Sequence, residues 1–203
     1  MALNLFGVTY NDPHNGAAGV AGTQLIAVRE LAAIVAESPY ATLEPSDERV
    51  ARVAEVVSAY VARASVLPAP IGVVFRAREA VTRWLELHYV ALSDALSFVD
   101  DRVVGRVHVY RPGAPAEREV GSDLAAAAAE SLRVLRRSAV ATVPLRVEQI
   151  TGIVLSAAFL VEQELWKEFA SKVTEQASQA PNLKFELTGP WPPYDFVQMQ
   201  FRG

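Results

Sequence analysis

Gly189-Pro190-Trp191-Pro192-Pro193-Tyr194-Asp195-Phe196 cannot lie inside a helix, because each proline lacks a backbone N–H and its ring collides with the preceding turn. The residue before each proline is also pushed toward extended geometry. The run therefore reads as a stiff, extended strap carrying an indole, a phenol and a phenyl ring. Trp191 and Tyr194 are expected to be largely buried against the protein's own body, with Pro190, Pro192 and Pro193 holding the backbone extended. Residues 189–203 then form a C-terminal tail, and the fold lies upstream of it.

Upstream, short apolar runs alternate with amphipathic stretches. Leu3–Tyr10 reads as a buried strand, and Asn11-Asp12-Pro13-His14-Asn15-Gly16 as a loop by its turn chemistry. Thr23–Glu37 fits two patterns: one helical face through Leu25, Val28, Leu31 and Val35, or two short strands turning at Arg29-Glu30. Ser46 is an N-cap, followed by Asp47 and Glu48 in the first turn of a helix whose stripe is Val50, Val53, Val57, Tyr60 or Val61, and Ala64. Val66-Leu67-Pro68-Ala69-Pro70 stops that helix. Ile71–Phe75 reads as a strand, Ala77–Val99 as one helix with Val81, Trp84, Leu85, His88, Leu92 and Leu96 inward, and Arg102–Tyr110 as an alternating strand.

Arg111-Pro112-Gly113-Ala114-Pro115-Ala116 is the predicted linker. Beyond it, Ser122 opens a helix through Leu124, Ala128, Leu132 and Leu135. Ile150–Val161 follows as strand, Glu162–Ser178 as helix and Leu183–Leu187 as strand. Both halves read as strands with helices on one side, an α+β class, with a first lobe over residues 1–112 and a second over 113–188. The order in the first half is compatible with a modified ferredoxin-like sandwich.

Composition narrows the function. Hydrophobic residues make up 51% of the 203, charged residues 21%, and the net charge is −4, an ordinary globular balance. Ten basic and twelve acidic residues precede Gly113, nine and eleven follow it, so neither half carries the basic face of a nucleic-acid binder. There is no cysteine, which excludes disulfides, thiolate metal sites and a cysteine nucleophile. No apolar run approaches the roughly 18–20 residues that span a bilayer, and a cytoplasmic protein is expected.

No catalytic constellation emerges. His14 lies in a turn, His88 on an apolar helix face and His108 beside Arg106 on a strand, none at metal-ligand spacing. Gly16-Ala17-Ala18-Gly19-Val20-Ala21-Gly22 follows a strand, but its spacing is not that of a dinucleotide loop, and a phosphate-binding lysine is missing. Asp100-Asp101 reads as a solvated turn. The expectation is a protein without catalytic residues, cofactor, metal or small-molecule substrate. Sixteen arginines against three lysines leave many planar donors suited to protein contacts.

Thr188-Gly189-Pro190-Trp191-Pro192-Pro193-Tyr194-Asp195-Phe196-Val197 resembles the C-terminal signature of the gas vesicle protein GvpL/GvpF family. Two upstream segments resemble the same family in the same order. One is Val66-Leu67-Pro68-Ala69-Pro70-Ile71-Gly72-Val73-Val74-Phe75, whose signature positions are Leu67, Pro68, Gly72 and Phe75. The other is Ser156-Ala157-Ala158-Phe159-Leu160-Val161, with Phe159, Leu160 and Val161. Ala69-Pro70-Ile71 departs from the family's basic-aromatic pair after Leu-Pro. The resemblance implies two α+β domains with a tail returning to the body, and it favours the hairpin for Thr23–Glu37. It also implies a non-enzymatic accessory or minor structural protein, associated with gas vesicles, that binds the small, very hydrophobic shell protein and other gas vesicle proteins. The signature residues would act structurally, and the partner-binding residues are unknown. A reading from a different class is a ferredoxin-like small-molecule-binding regulatory domain.

Overall fold

The computed structural model describes residues 1–11, 20–40, 46–112, 122–146 and 152–197. The chain divides into two compact units: Met1–Asp100 with Pro192 onward, and Asp101–Trp191. His14, Gly16–Gly19, most of the predicted linker and Ile150 lie outside the described residues.

In the first unit, β1 (Ala2–Tyr10), β2 (Gln24–Val28), β3 (Leu31–Ser38) and β4 (Val66–Pro68) form an antiparallel sheet in the order β2-β3-β1-β4. β5 (Val74–Phe75) joins the same side of β1 as β4, with Phe75 opposite Leu3. Thr23–Glu37 is thus a hairpin. Its turn residue Arg29 has φ 54, and Asn11 secures the turn through its amide nitrogen, which donates to the Glu30 carbonyl at 2.7 Å, and its Nδ2, which donates to the Arg29 carbonyl at 2.9 Å.

Helices cover both faces of this sheet, not one as the sequence suggested. α1 (Asp47–Val61) packs Val53, Val56, Val57 and Tyr60 against Phe6 and Ile34. On the other face, α2 (Arg78–Leu87) and α3 (Tyr89–Val99) bring Val81, Trp84, Leu85, Leu92 and Leu96 against Leu3, Leu5, Val8, Leu31, Ala33 and Val35. A strand buried on both faces needs an unbroken apolar run, and Leu31-Ala32-Ala33-Ile34-Val35 is fully buried throughout. The N-cap at Ser46 is present, with the Arg49 amide donating to Ser46 Oγ at 3.3 Å, but Val50 points outward at 47% exposure. The single helix expected over Ala77–Val99 breaks at His88 (φ −103, ψ 11), which rotates α3 onto its own part of the core.

The second unit is a sheet of β7 (Ala141–Pro144), β8 (Ile153–Glu162), β6 (Arg102–Tyr110) and β9 (Lys184–Trp191), in the order β7-β8-β6-β9, all antiparallel. α4 (Ser122–Arg136) and α5 (Trp166–Gln179) pack on one face, where Ala128, Leu135, Phe169 and Val173 meet Val107, Val109, Ala157, Phe159 and Val161. β6 pairs with both β8 and β9, so it belongs to this unit. The boundary therefore falls after Asp100 and not at residue 112, because a strand goes with the sheet that completes its hydrogen bonds.

Candidate functional site

The strap begins as a strand and ends as a turn. β9 runs through Gly189 and Pro190 to Trp191, which pairs with Val104 on β6 after a register shift. Proline is tolerated there because β9 is an edge strand. Beyond it the chain turns, with the Tyr194 amide donating to the Pro192 carbonyl at 2.8 Å and the Phe196 amide to the Pro193 carbonyl at 3.1 Å. The extended path expected for the whole strap stops at Trp191.

Nor are the two large aromatics largely buried. Trp191 is 46% exposed and Tyr194 38%, whereas Pro193 is buried and Val197 packs on the first unit's core. The Trp191 indole N–H donates to Thr188 Oγ1 at 3.1 Å, a partner on its own strand that holds the ring beside the edge of the sheet. Partial burial still pushes the Tyr194 phenol above its ordinary pKa.

What the strap's first residue does is plain from the space around it. Gly189 has φ 128, and a Cβ there would sit 2.6 Å from the Val104 carbonyl oxygen and 3.1 Å from Trp166 Cη2. At Gly105 a Cβ would meet Trp166 Cζ3 at 2.9 Å, Leu187 Cδ1 at 3.1 Å and Phe169 Cε1 at 3.2 Å. Trp166 therefore lies over a notch made by one glycine on each of two neighbouring strands. Its ring stacks on Phe169 at 6.2 Å between centroids, and Phe169 meets Phe159 at 5.3 Å. Gly105 and Trp166 were not singled out as site residues from sequence. A glycine interrupting the Val103, Val107, Val109 alternation was the available signal.

Of the other residues that carry the resemblance, those upstream of the strap lie in or against the two cores, and those of the strap do so only in part. Leu67 and Pro68 on β4 face Val8 and Gly7, and a Cβ on Gly7 would stand 2.6 Å from the Leu67 carbonyl oxygen. Gly72 turns the chain at φ 90, and Phe75 packs on Trp84 at 5.6 Å. Phe159 and Val161 face α5 while Leu160, also buried, lies on the opposite sheet face. Pro190 is exposed; Pro192 and Phe196 are half-buried.

The two described histidines, His88 and His108, lie in different units and in different settings. His88 packs on Trp84 at 5.7 Å between ring centroids. His108 Nδ1 lies 2.7 Å from the hydroxyl of buried Ser156, the nearest approach to a base and nucleophile. The carboxylate opposite His108, Glu186, engages the Tyr110 hydroxyl, whose pKa is raised by burial first and by that carboxylate second. Among the described residues no carboxylate is hydrogen-bonded to the imidazole as the orienting acid of a catalytic triad would be. Among the described residues no three His, Asp or Glu side chains cluster as metal ligands, and no helix is long and apolar enough to cross a membrane. Asp100 accepts a hydrogen bond from the Ser65 hydroxyl, and Asp101 takes φ 53 in the turn before β6.

The profile of the family described as gas vesicle synthesis protein GvpL/GvpF matches residues 2–128 and 110–198. The chain belongs to that family. Gas vesicle protein F2 of Halobacterium salinarum is 25% identical over 189 residues, covering 91% of this chain and 84% of the relative. The crystal structure of GvpF from Anabaena sp. PCC7120 superposes with a TM-score of 0.78 at 16% identity, covering 100% of this chain and 98% of that one. GvpF from Microcystis aeruginosa gives 0.76 at 14% identity, covering 98% and 99%. At those identities the two crystal structures establish the shared fold, an α+β arrangement with two antiparallel sheets, and the profile match establishes the family.

Proposed function

We propose that this chain is an accessory or minor structural protein of the gas vesicle, which binds the vesicle's shell protein and assists its assembly. The observation that carries this reading is the family match over residues 2–198, which takes in both units and the strap together. The role is one of contact, not catalysis. The features a reaction would draw on are an imidazole paired with a serine on a sheet surface and scattered carboxylates, whereas the strap presents half-exposed aromatic rings. A folded body of this kind would cover apolar surface of a shell subunit until that subunit joins the wall. The same reading places the protein in the cytoplasm, in association with gas vesicles and with other proteins of the vesicle.

Deletion tests the reading in a vesicle-forming cell. Removing the gene should abolish or sharply reduce buoyant vesicles in flotation, and a plasmid copy should restore them. Normal vesicle yield in the deletion strain would overturn the assembly role.

A further inference from the structure

The first unit carries a groove of about 660 Å³ between β5 and α2. One wall is the chain from Val73 to Ala77, including the two residues of β5, which among the described residues pairs with β1 alone. Among the described residues no strand lies on its outer edge, so its backbone is open to strand addition. The other wall is the α2 surface through Ala80, Trp84, Leu87 and His88. Leu87 is 75% exposed, although Val81, Trp84 and Leu85 of the same helix are buried. An exposed leucine on the wall of an apolar groove is an unfilled contact.

The rim is cationic. Arg76 is held in place by Tyr40, its Nε donating to the phenol oxygen at 2.9 Å and its guanidinium lying 5.1 Å above the ring centroid. Arg83 has no hydrogen bond or ion pair among the described residues. Glu79 is the single acid on the lining, so two arginines outweigh one carboxylate in a chain whose net charge is −4. An unengaged guanidinium beside apolar surface is suited to a carboxylate, which it can bind through two parallel N–H donors.

We propose that this groove seats an extended, apolar peptide segment carrying an acidic side chain, supplied by a partner protein. The segment adds to the edge of β5, alternate side chains enter the space above Ala80 and beside Leu87, and its carboxylate pairs with Arg83. The inference names a surface and a ligand chemistry, and it stands whether or not the partner is the shell protein.

A displayed library of random nine-residue peptides, selected against the purified full chain, tests it. Enriched peptides are synthesised and their affinities measured by fluorescence anisotropy on wild type, Arg83→Glu and Leu87→Ser. Both substitutions fall at exposed positions, and unchanged melting confirms that the variants fold. The expected consensus alternates apolar residues around an Asp or Glu, and each variant weakens binding about tenfold. No enrichment, a basic consensus, or affinities unchanged in both variants would overturn the proposal.

Discussion

Gly189→Ala puts a methyl group where the structure has a backbone oxygen. The nearest atom would be the Val104 carbonyl oxygen at 2.6 Å, and that oxygen belongs to the central strand β6, so it cannot swing aside as a side-chain end would. The φ of 128 adds a torsional penalty for any residue with a Cβ. Backbone strain of this kind costs about 1–3 kcal/mol, and forced overpacking about 1–3 kcal/mol more. The low end of the total is about 2 kcal/mol, which for a chain of this size lowers Tm by about 5 °C, at roughly 2–4 °C per kcal/mol. Gly22→Ala is the control. Gly22 also has positive φ (75), but its Cβ would meet nothing closer than Arg52 Nη2 at 3.8 Å, so only the torsional part, about 1 kcal/mol, remains. Thermal unfolding by circular dichroism of the two variants beside wild type measures both. A Gly189→Ala variant that melts within about 1 °C of wild type, or a Gly22→Ala variant that is the more damaging of the two, would refute the close approach of β9 to β6.

Other perturbations separate core from surface. Phe159→Ala, at a ring fully buried between Phe169 and the sheet, should cost about 3–5 kcal/mol in urea unfolding, as large-to-small changes in a packed core do. Trp191→Ala should cost only about half of that range, because the indole is 46% exposed; a loss equal to that of Phe159→Ala would show the ring to be buried in solution. Alkaline pH should destabilise the protein. Tyr10, Tyr110 and Tyr194 have phenols raised chiefly by burial, and a group whose folded pKa lies above its unfolded value contributes stability that is fully present below about pH 10 and lost as pH rises through the folded pKa. Melting temperature measured from neutral pH upward should therefore fall beyond about pH 10, and less steeply in Tyr194→Phe.

Local chemistry made some elements readable and left others hidden. α1 was legible because its cap and first-turn acids are written in consecutive residues, Ser46-Asp47-Glu48, and its buried stripe follows helical spacing. The β2–β3 turn was legible only as one of two readings that the resemblance had to decide, because Arg29-Glu30 contains none of the usual turn residues; Asn11, 18 residues away in sequence from Arg29, holds it. The break at His88 likewise has no glycine or proline to announce it. β6 was recognised as a strand, but which sheet it joins depends on pairing with Ile153–Glu162 and Lys184–Trp191, far along the chain. β7 is four residues ending in proline at a sheet edge, too short to show a pattern. The strap's aromatics looked like core because of their size, yet the edge position of β9 leaves Trp191 at the surface. The family itself was legible, since the resemblance rested on residue identity and not on packing.

Binding to the shell protein is the central claim, and co-expression of the two in a heterologous host measures it most directly. With this chain tagged and the shell protein untagged, affinity purification from the soluble fraction should recover both together, and the shell protein expressed alone should be found in the insoluble fraction. Recovery of the tagged chain without shell protein, with the shell protein equally insoluble in its presence and absence, would contradict the account.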